Sequence, residues 1–359
     1  MVLVAEQLRR TVPGGIGTYV RGLVAGLRMA GPEQVDLTLW TGRARGGPDR
    51  DPLSVFDRVV ASSLPGPALT RMWDRGLCRP PAGADVVHAS SLAVPPSGPA
   101  PMSVMVHDLA WRHEPDAYPR RGREWHEAAL ARARERAALL MAPSSATADD
   151  LAAAGVPEDR VAVVEEGSDH LDPPDREGAA ALLARLGVEP GGGYLLTVST
   201  LEPRKNLPLL LDAHALALAR LPEPWPLVVV GPTGWGPTLA ARPSVLLAGH
   251  VDGGVLSALY FGARLLAYVP RREGWGLPAV EAMACGTPVV ATPMPSTGGA
   301  ALEVPSGDVE AIAEALVAVA GDDALRARLV AAGLRRAAGL TWRRAGARHL
   351  ELWTELAAG

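Results

Sequence analysis

Short, mostly apolar runs alternate with longer stretches of helical spacing along nearly the whole chain, and they do so in two series. The first series of runs is Val2–Ala5, Gln34–Trp40, Val86–Ala89, Met102–Val106, Leu139–Ala142 and Val161–Glu165. The second is Tyr194–Val198, Pro226–Val230, Val245–Ala248, Leu265–Val269 and Pro288–Ala291. Helical patterns between them include Thr18–Met29, Arg123–Leu139, Ala146–Ala154, Leu207–Arg220, Leu277–Ala284 and Val309–Ala320. A strand wetted on one side alternates apolar and polar residues, whereas a continuously apolar strand must be covered on both faces. The chain is therefore expected to be α/β, with parallel sheets sandwiched between helices. A Pro-, Asp- and Gly-containing stretch, Ser168–Arg176, separates the two series. It predicts two doubly wound domains, with ligand at the carboxyl ends of the strands in a central cleft. The length of 359 residues fits two cores better than one. The expected division is 1–170, 171–341 and an amphipathic closing helix over 342–359. The segment Arg43–Pro67 is rich in Gly, Pro and charge and reads as a mobile insertion.

Composition excludes several function classes. Aromatic residues are only 4% against 48% hydrophobic, so aliphatic side chains must fill the cores. A net charge of −4 leaves no electrostatic footprint for nucleic acid. Cys78 and Cys285 have neither metal-ligand spacing nor the density of a disulfide framework. The N-terminus lacks the pattern of a signal peptide, and no apolar run reaches the length of about 18 residues that would span a bilayer. These features predict a cytoplasmic protein.

Lys205 is the single lysine among 35 basic residues. It sits in Thr200-Leu201-Glu202-Pro203-Arg204-Lys205-Asn206, directly after the strand Tyr194–Val198. A compact ammonium beside a planar guanidinium suits a phosphate group, which takes both a point charge and a fork. A second feature is the run from Arg272 to Val290, in which Glu273-Gly274-Trp275-Gly276 joins a strand to a helix beginning near Leu277. Pro278 is tolerated in the first turn, and Gly286 is placed to end the helix. The free amides and positive dipole end of such a helix attract an anion, and Gly274 and Gly276 allow close approach. Glu273 and Glu281 flank that site. Two carboxylates do not suit phosphate alone, but they suit the hydroxyls on either side of a sugar nucleotide's diphosphate. Read without the rest, they are equally well two solvated glutamates.

The Glu-x7-Glu spacing and its surroundings, Glu273 to Val290, resemble the retaining glycosyltransferases of the GT-B fold, and family 4 in particular. The resemblance implies that Glu273 binds hydroxyls of the transferred sugar, that Glu281 binds the ribose, and that amides of Gly274, Trp275, Gly276 and Leu277 hold sugar and diphosphate. Leu201–Leu207 is similar to the family's other donor motif, which assigns the diphosphate to Arg204 and Lys205. Pro13-Gly14-Gly15-Ile16-Gly17 is by itself an ordinary glycine turn before a helix. In the family it approaches the scissile phosphate, implying that role for Gly15 and Gly17. His107, just past a buried strand, is by itself a structural histidine. The family's strand-end His-Asp pair implies that His107 reaches the transferred sugar and that Asp108 orients its ring. Ser144 and Ser145 match a family position near the cleft, though a helix cap explains them equally well. Gly249-His250-Val251-Asp252 resembles the loop that contacts the base, implying His250 and Val251, with Pro232 or Thr233 nearby.

The chain departs from the family pattern at Glu166, which stands where an uncharged residue is common and is expected to touch acceptor or donor. Trp275 replaces a common phenylalanine, and Pro293–Glu303 is a shortened loop.

The implied function is retaining transfer of a hexose, first mannose from GDP-mannose, from a nucleotide sugar (GDP-, UDP- or dTDP-linked) to a saccharide or lipid-linked acceptor. No cofactor and no metal is expected: the one Asp-x-Asp triplet, Asp49-Arg50-Asp51, reads as solvated. Competing readings are a GT-B phosphorylase or epimerase, and a non-catalytic sugar-nucleotide-binding subunit. Arg112–Arg136 carries seven arginines against five acids on a helix with Trp125. It reads as a peripheral membrane contact or as a solvated helix face.

Overall fold

The structure is a computed structural model and describes residues 1–31, 33, 35–44, 51–236, 239 and 241–359. The chain forms two compact units. Residues 1–112, 119–167 and 341–359 make the first, and 113–118 with 168–340 make the second. In chain order the first half runs β1 (Val2–Val4), α1 (Gly14–Ala30), β2 (Thr38–Arg43), β3 (Val59–Pro65), α2 (Gly66–Asp74), β4 (Val87–Ala89) and β5 (Met102–Met105). It continues through α3 (Ala110–His113), α4 (Arg120–Arg136), β6 (Leu139–Ala142), α5 (Ser145–Ala153) and β7 (Val161–Val163). The second half runs α6 (Arg176–Arg185), β8 (Leu195–Val198), α7 (Leu207–Leu218), β9 (Leu227–Val230), β10 (Val245–Gly249), α8 (Gly253–Gly262) and β11 (Leu265–Tyr268). It ends with α9 (Leu277–Ala284), β12 (Val289–Ala291), β13 (Leu302–Glu303), α10 (Val309–Gly321), α11 (Asp323–Ala338) and α12 (Trp342–Ala358).

Both sheets are parallel and doubly wound. The first has the order β3-β2-β1-β4-β5-β6-β7, the second β10-β9-β8-β11-β12-β13. Each reverses direction beside its first strand, which is where such sheets hold ligands. Successive residues of a strand point to opposite faces. Accordingly, Leu196, Val228 and Leu266 join one core of the second unit, while Leu195, Leu227 and Leu265 join another on the opposite face. Aliphatic side chains dominate both.

Arg43–Pro67 is not simply an insertion. Its residues 45–50, together with Pro32, Gln34, Pro237, Thr238 and Ala240, lie outside the described residues, but β3 emerges from its second half. Leu39 pairs with Val59 and Trp40 with Val60 in parallel register. As an edge strand β3 is only half covered, and Val60 is 40% exposed, so its sequence lacks a continuous apolar run. Other boundaries shift: α4 starts at Arg120 and stops before Leu139, which opens β6, and Leu302–Glu303 forms a short strand where only a loop was read.

The closing helix α12 packs on α1 in the first unit. Their backbones approach through glycine. A Cβ on Gly22 would lie 2.0 Å from the Trp342 ring, and one on Gly26 2.0 Å from the Trp342 carbonyl oxygen. A Cβ on Gly346 would lie 2.4 Å from Gly26. A buried hydrogen-bond chain secures the contact. Trp353 Nε1 donates to Ser103 Oγ at 2.9 Å, and Ser103 meets His88 Nδ1 at 2.8 Å. His88 Nε2 and His349 Nε2 each lie 2.8 Å from the Tyr19 hydroxyl, and His349 Nδ1 meets the Ala345 carbonyl at 2.7 Å. That carbonyl can only accept, so His349 donates from Nδ1 and accepts at Nε2 from Tyr19. The donors then run in one direction from Trp353 to Ala345, starting and ending on α12. Among the described residues no helix is long and apolar enough to cross a membrane.

Candidate functional site

The carboxyl edge of the second sheet gathers most of the residues singled out from sequence. After β8 the chain makes a tight turn over Pro203–Lys205, and Asn206 enters α7 in the left-handed region, at φ 58°. Asn206 tolerates this because its buried Nδ2 donates to the Ser306 carbonyl at 2.8 Å. Opposite, the loop after β11 carries Glu273. Lys205 Nζ lies 2.5 Å from Glu273 Oε1 and Arg204 Nη1 2.9 Å from the same oxygen. Arg204 also reaches the Arg272 carbonyl and Glu202.

Tyr268, the last residue of β11, completes this cluster. Its hydroxyl accepts from Lys205 and donates to Glu273, each at 2.9 Å. Burial and the neighbouring Glu273 charge hold the Tyr268 phenol well above its ordinary range. Burial pushes the Glu273 carboxyl upward, but Arg204 and Lys205 outweigh it and hold the group at about 2. The cluster thus joins two basic and two acidic side chains, nearly dry, with one Glu273 oxygen shared by Arg204 and Lys205.

Gly276 caps α9 at φ 105°, and a Cβ there would lie 2.5 Å from Met294 Sδ. Both the dihedral and the space require glycine. No side chain caps the first turn of α9. Trp275 is turned into the core, with the Arg336 guanidinium 5.8 Å from its ring centre. Glu281 does not join the Lys205 cluster. Its two oxygens are taken by Tyr260 Oη at 2.8 Å and His170 Nε2 at 3.0 Å. His250 and Val251 follow β10 on the same sheet edge, His250 exposed and Val251 half-buried.

The remaining sequence candidates lie in the first unit. Gly15 and Gly17 are in the first turn of α1, not in a loop before it. Gly17 is required by packing, since a Cβ would lie 2.4 Å from Pro13 Cβ. His107 follows β5. Its Nδ1 lies 3.1 Å from Glu166 Oε1 and its Nε2 3.0 Å from the Ser90 carbonyl. Glu166, not Asp108, holds the ring; Asp108 instead accepts from the Ala110 amide at 2.9 Å. Only an imidazolium donates from both nitrogens. Burial depresses the His107 pKa, but the Glu166 hydrogen bond and charge, aided by Ser90 and Asp108, raise it above the usual value. Glu166, expected to touch a ligand, is buried and committed to His107. Ser144 caps α5 by accepting from the Thr147 amide at 3.2 Å.

Asp49 and Arg50 lie outside the described residues. Asp51 is not solvated: it pairs with Arg9 and accepts from the Leu53 amide. Among the described residues no cluster of His, Cys, Asp or Glu is arranged to hold a metal. The arginines of 112–136 are mostly committed as well, Arg112 to Glu127, Arg120 to Glu124 and Arg132 to Asp74. Tyr268, Tyr260 and His170 have no sequence signal, because each acts through a partner distant in sequence or sits in an unremarkable strand, helix or loop; Glu202 lies inside the Leu201–Leu207 motif, but its pairing with Arg204 is visible only in the structure.

Two family models match the chain in succession: "Glycosyltransferase Family 4" over residues 13–170 and "Glycosyl transferases group 1" over residues 192–322. The chain belongs to the glycosyltransferases. Among curated relatives, O-antigen chain mannosyltransferase B of Escherichia coli is 35% identical over 162 residues, 42% of each chain. D-inositol 3-phosphate glycosyltransferase of Xylanimonas cellulosilytica is 31% identical over 240 residues, covering 60% of this chain and 56% of that one. The glycosyltransferase chain thus spans about half the length of the curated relatives it matches. Among solved structures, sucrose-phosphate synthase from Thermosynechococcus elongatus aligns over 99% of this chain and 98% of its own, with TM-score 0.71 and 18% identity. Anabaena HepE in complex with UDP-glucose aligns over 99% of both chains, again with TM-score 0.71 and 18% identity. These neighbours share the fold, two Rossmann-like domains of the GT-B type.

Proposed function

We propose that this glycosyltransferase moves a hexose from a nucleoside diphosphate to a hydroxyl of a saccharide or lipid-linked acceptor, with retained anomeric configuration and without a metal. The observation that carries the reading is the shared contact of Arg204, Lys205 and Tyr268 with Glu273 at the carboxyl edge of the second sheet. A diphosphate leaving group gains negative charge as the glycosidic bond breaks. Fixed cations beside a helix start stabilise that charge with no reorganisation at the moment of reaction. On donor binding, Glu273 exchanges part of its contact with the cations for sugar hydroxyls, freeing Arg204 and Lys205 for the diphosphate. Glu281, aligned by Tyr260 and His170, accepts from the ribose, and the Gly274–Leu277 amides line the anion. His250 and Val251 meet the base. Gly15, Gly17 and His107 keep the roles that the family resemblance gives them.

Mannose from GDP-mannose is the first donor, supported by the O-antigen chain mannosyltransferase B relative. Melting the protein with GDP, UDP and dTDP tests the base. Stabilisation by GDP alone is expected, and stabilisation by UDP or dTDP instead assigns another donor.

A further inference from the structure

A cavity of about 660 Å3 opens on the first unit, and none of the donor-site candidates lines it. Its walls come from the Glu6–Arg9 turn after β1, the end of β2 at Arg43, α2 from Gly66 to its last turn at Arg71 and Asp74, and α4 at Arg121 and Trp125. All strands of this sheet are parallel, so the cavity and His107, which follows β5, share its carboxyl edge. Ligands of such sheets bind along that edge.

The charges of the cavity do not cancel. Arg9 is 11% exposed and spent on Asp51 and the Gly42 carbonyl, which fixes one wall. Arg10 pairs with Glu6, whose carboxylate sits against the start of α2 at Gly66, so that helix end is already compensated. Asp74 is held by Arg132 and by Trp125 Nε1. Arg43, Arg71 and Arg121 then remain, exposed and with no carboxylate partner among the described residues. Three unmatched arginines lining one concave site, beside cations already anchored by acids, suit a multiply charged, multidentate anion. A neutral sugar has no use for them.

We propose that this cavity binds a phosphate group carried by the acceptor. The inference rests on the transferase reading and names the acceptor class: a phosphorylated saccharide or a lipid-linked phosphate. The two differ in what surrounds the phosphate, not in what the arginines bind.

Calorimetric titration of inorganic phosphate into the full chain, and into Lys205→Ala to remove the other anion site, tests the cavity directly. Both are expected to bind phosphate here, and adding Arg71→Gln with Arg121→Gln is expected to weaken it about tenfold or more. Arg71→Lys with Arg121→Lys is expected to restore part of the loss, because charge remains while the fork is gone. An unchanged melting midpoint shows that the variants fold. Sedimentation with phosphatidylcholine vesicles, with and without phosphatidic acid, separates the sources. Arginine-dependent binding to the anionic vesicles without binding of free phosphate assigns the group to a lipid; the reverse assigns a soluble acceptor. No arginine-dependent binding in either arm overturns the proposal. Nucleoside diphosphate binding by the parent reports independently on the donor reading, so the two fail separately.

Discussion

His107 Nδ1 and Glu166 Oε1 lie 3.1 Å apart, and Glu166 is 3% exposed, so the imidazole is held by a buried carboxylate from the far end of the first sheet. The opposite ring nitrogen meets a carbonyl, leaving no neutral tautomer that satisfies both.

Glu166→Gln keeps the shape of this contact but removes its charge. The His107 pKa, now above 6.5, is expected to fall below it, because burial remains while the carboxylate is lost. In the parent the raised pKa contributes stability that is full below 6.5 and lost as pH rises through the folded value. Proton NMR titration of the His107 ring checks the shift, and an unchanged pKa would mean that Glu166 does not charge the ring.

Glu273 predicts the opposite pH behaviour. Its carboxyl sits near 2 when folded against an ordinary 4.5, so its contribution is present above about 4.5 and lost as pH falls toward 2. Glu273→Gln leaves Arg204 and Lys205 without that charge in a nearly dry site, and a loss of about 3 kcal/mol is expected. Urea unfolding of both proteins from neutral pH downward should show the gap closing as acid is added.

Part of this cluster is legible in the sequence. Lys205 and Glu273 stand in motifs that the sequence singles out, and β8 and β11 are largely apolar because both faces are covered. Tyr268 was not readable: it looks like one more residue of a buried strand, and its role arises only because β11 ends beside the Pro203–Lys205 turn. His170 reaches Glu281 across 111 residues, a pairing that no local pattern encodes. Glu166 is visible in sequence as a departure from the family pattern, but its partner is not, since only the parallel neighbourhood of β5, β6 and β7 brings it to His107. β3 escaped because an edge strand needs no continuous apolar run.

The α1–α12 contact depends on absent side chains. Gly26→Ala places a methyl against the Trp342 carbonyl, which is backbone and has little freedom to retreat. A cost of about 1–3 kcal/mol is expected in thermal or urea unfolding. Faster amide exchange in α12 would locate the damage there.

Tyr19 is the relay between His88 and His349. Tyr19→Phe strands a buried donor on one ring and a buried acceptor on the other, at a cost of about 2 kcal/mol or more by urea unfolding. Burial pushes His349 down to about 4, so the folded state holds it neutral. The stability this represents is full above 6.5 and lost as pH falls toward 4.

Calorimetric titration of GDP, UDP and dTDP into the parent and into Lys205→Ala tests the central claim most directly. At least one nucleotide is expected to bind the parent and to lose about tenfold or more in affinity in the variant, because a charge-assisted contact to the diphosphate is gone. Equal affinity in the two proteins would contradict the assignment of Lys205 and its cluster to the diphosphate.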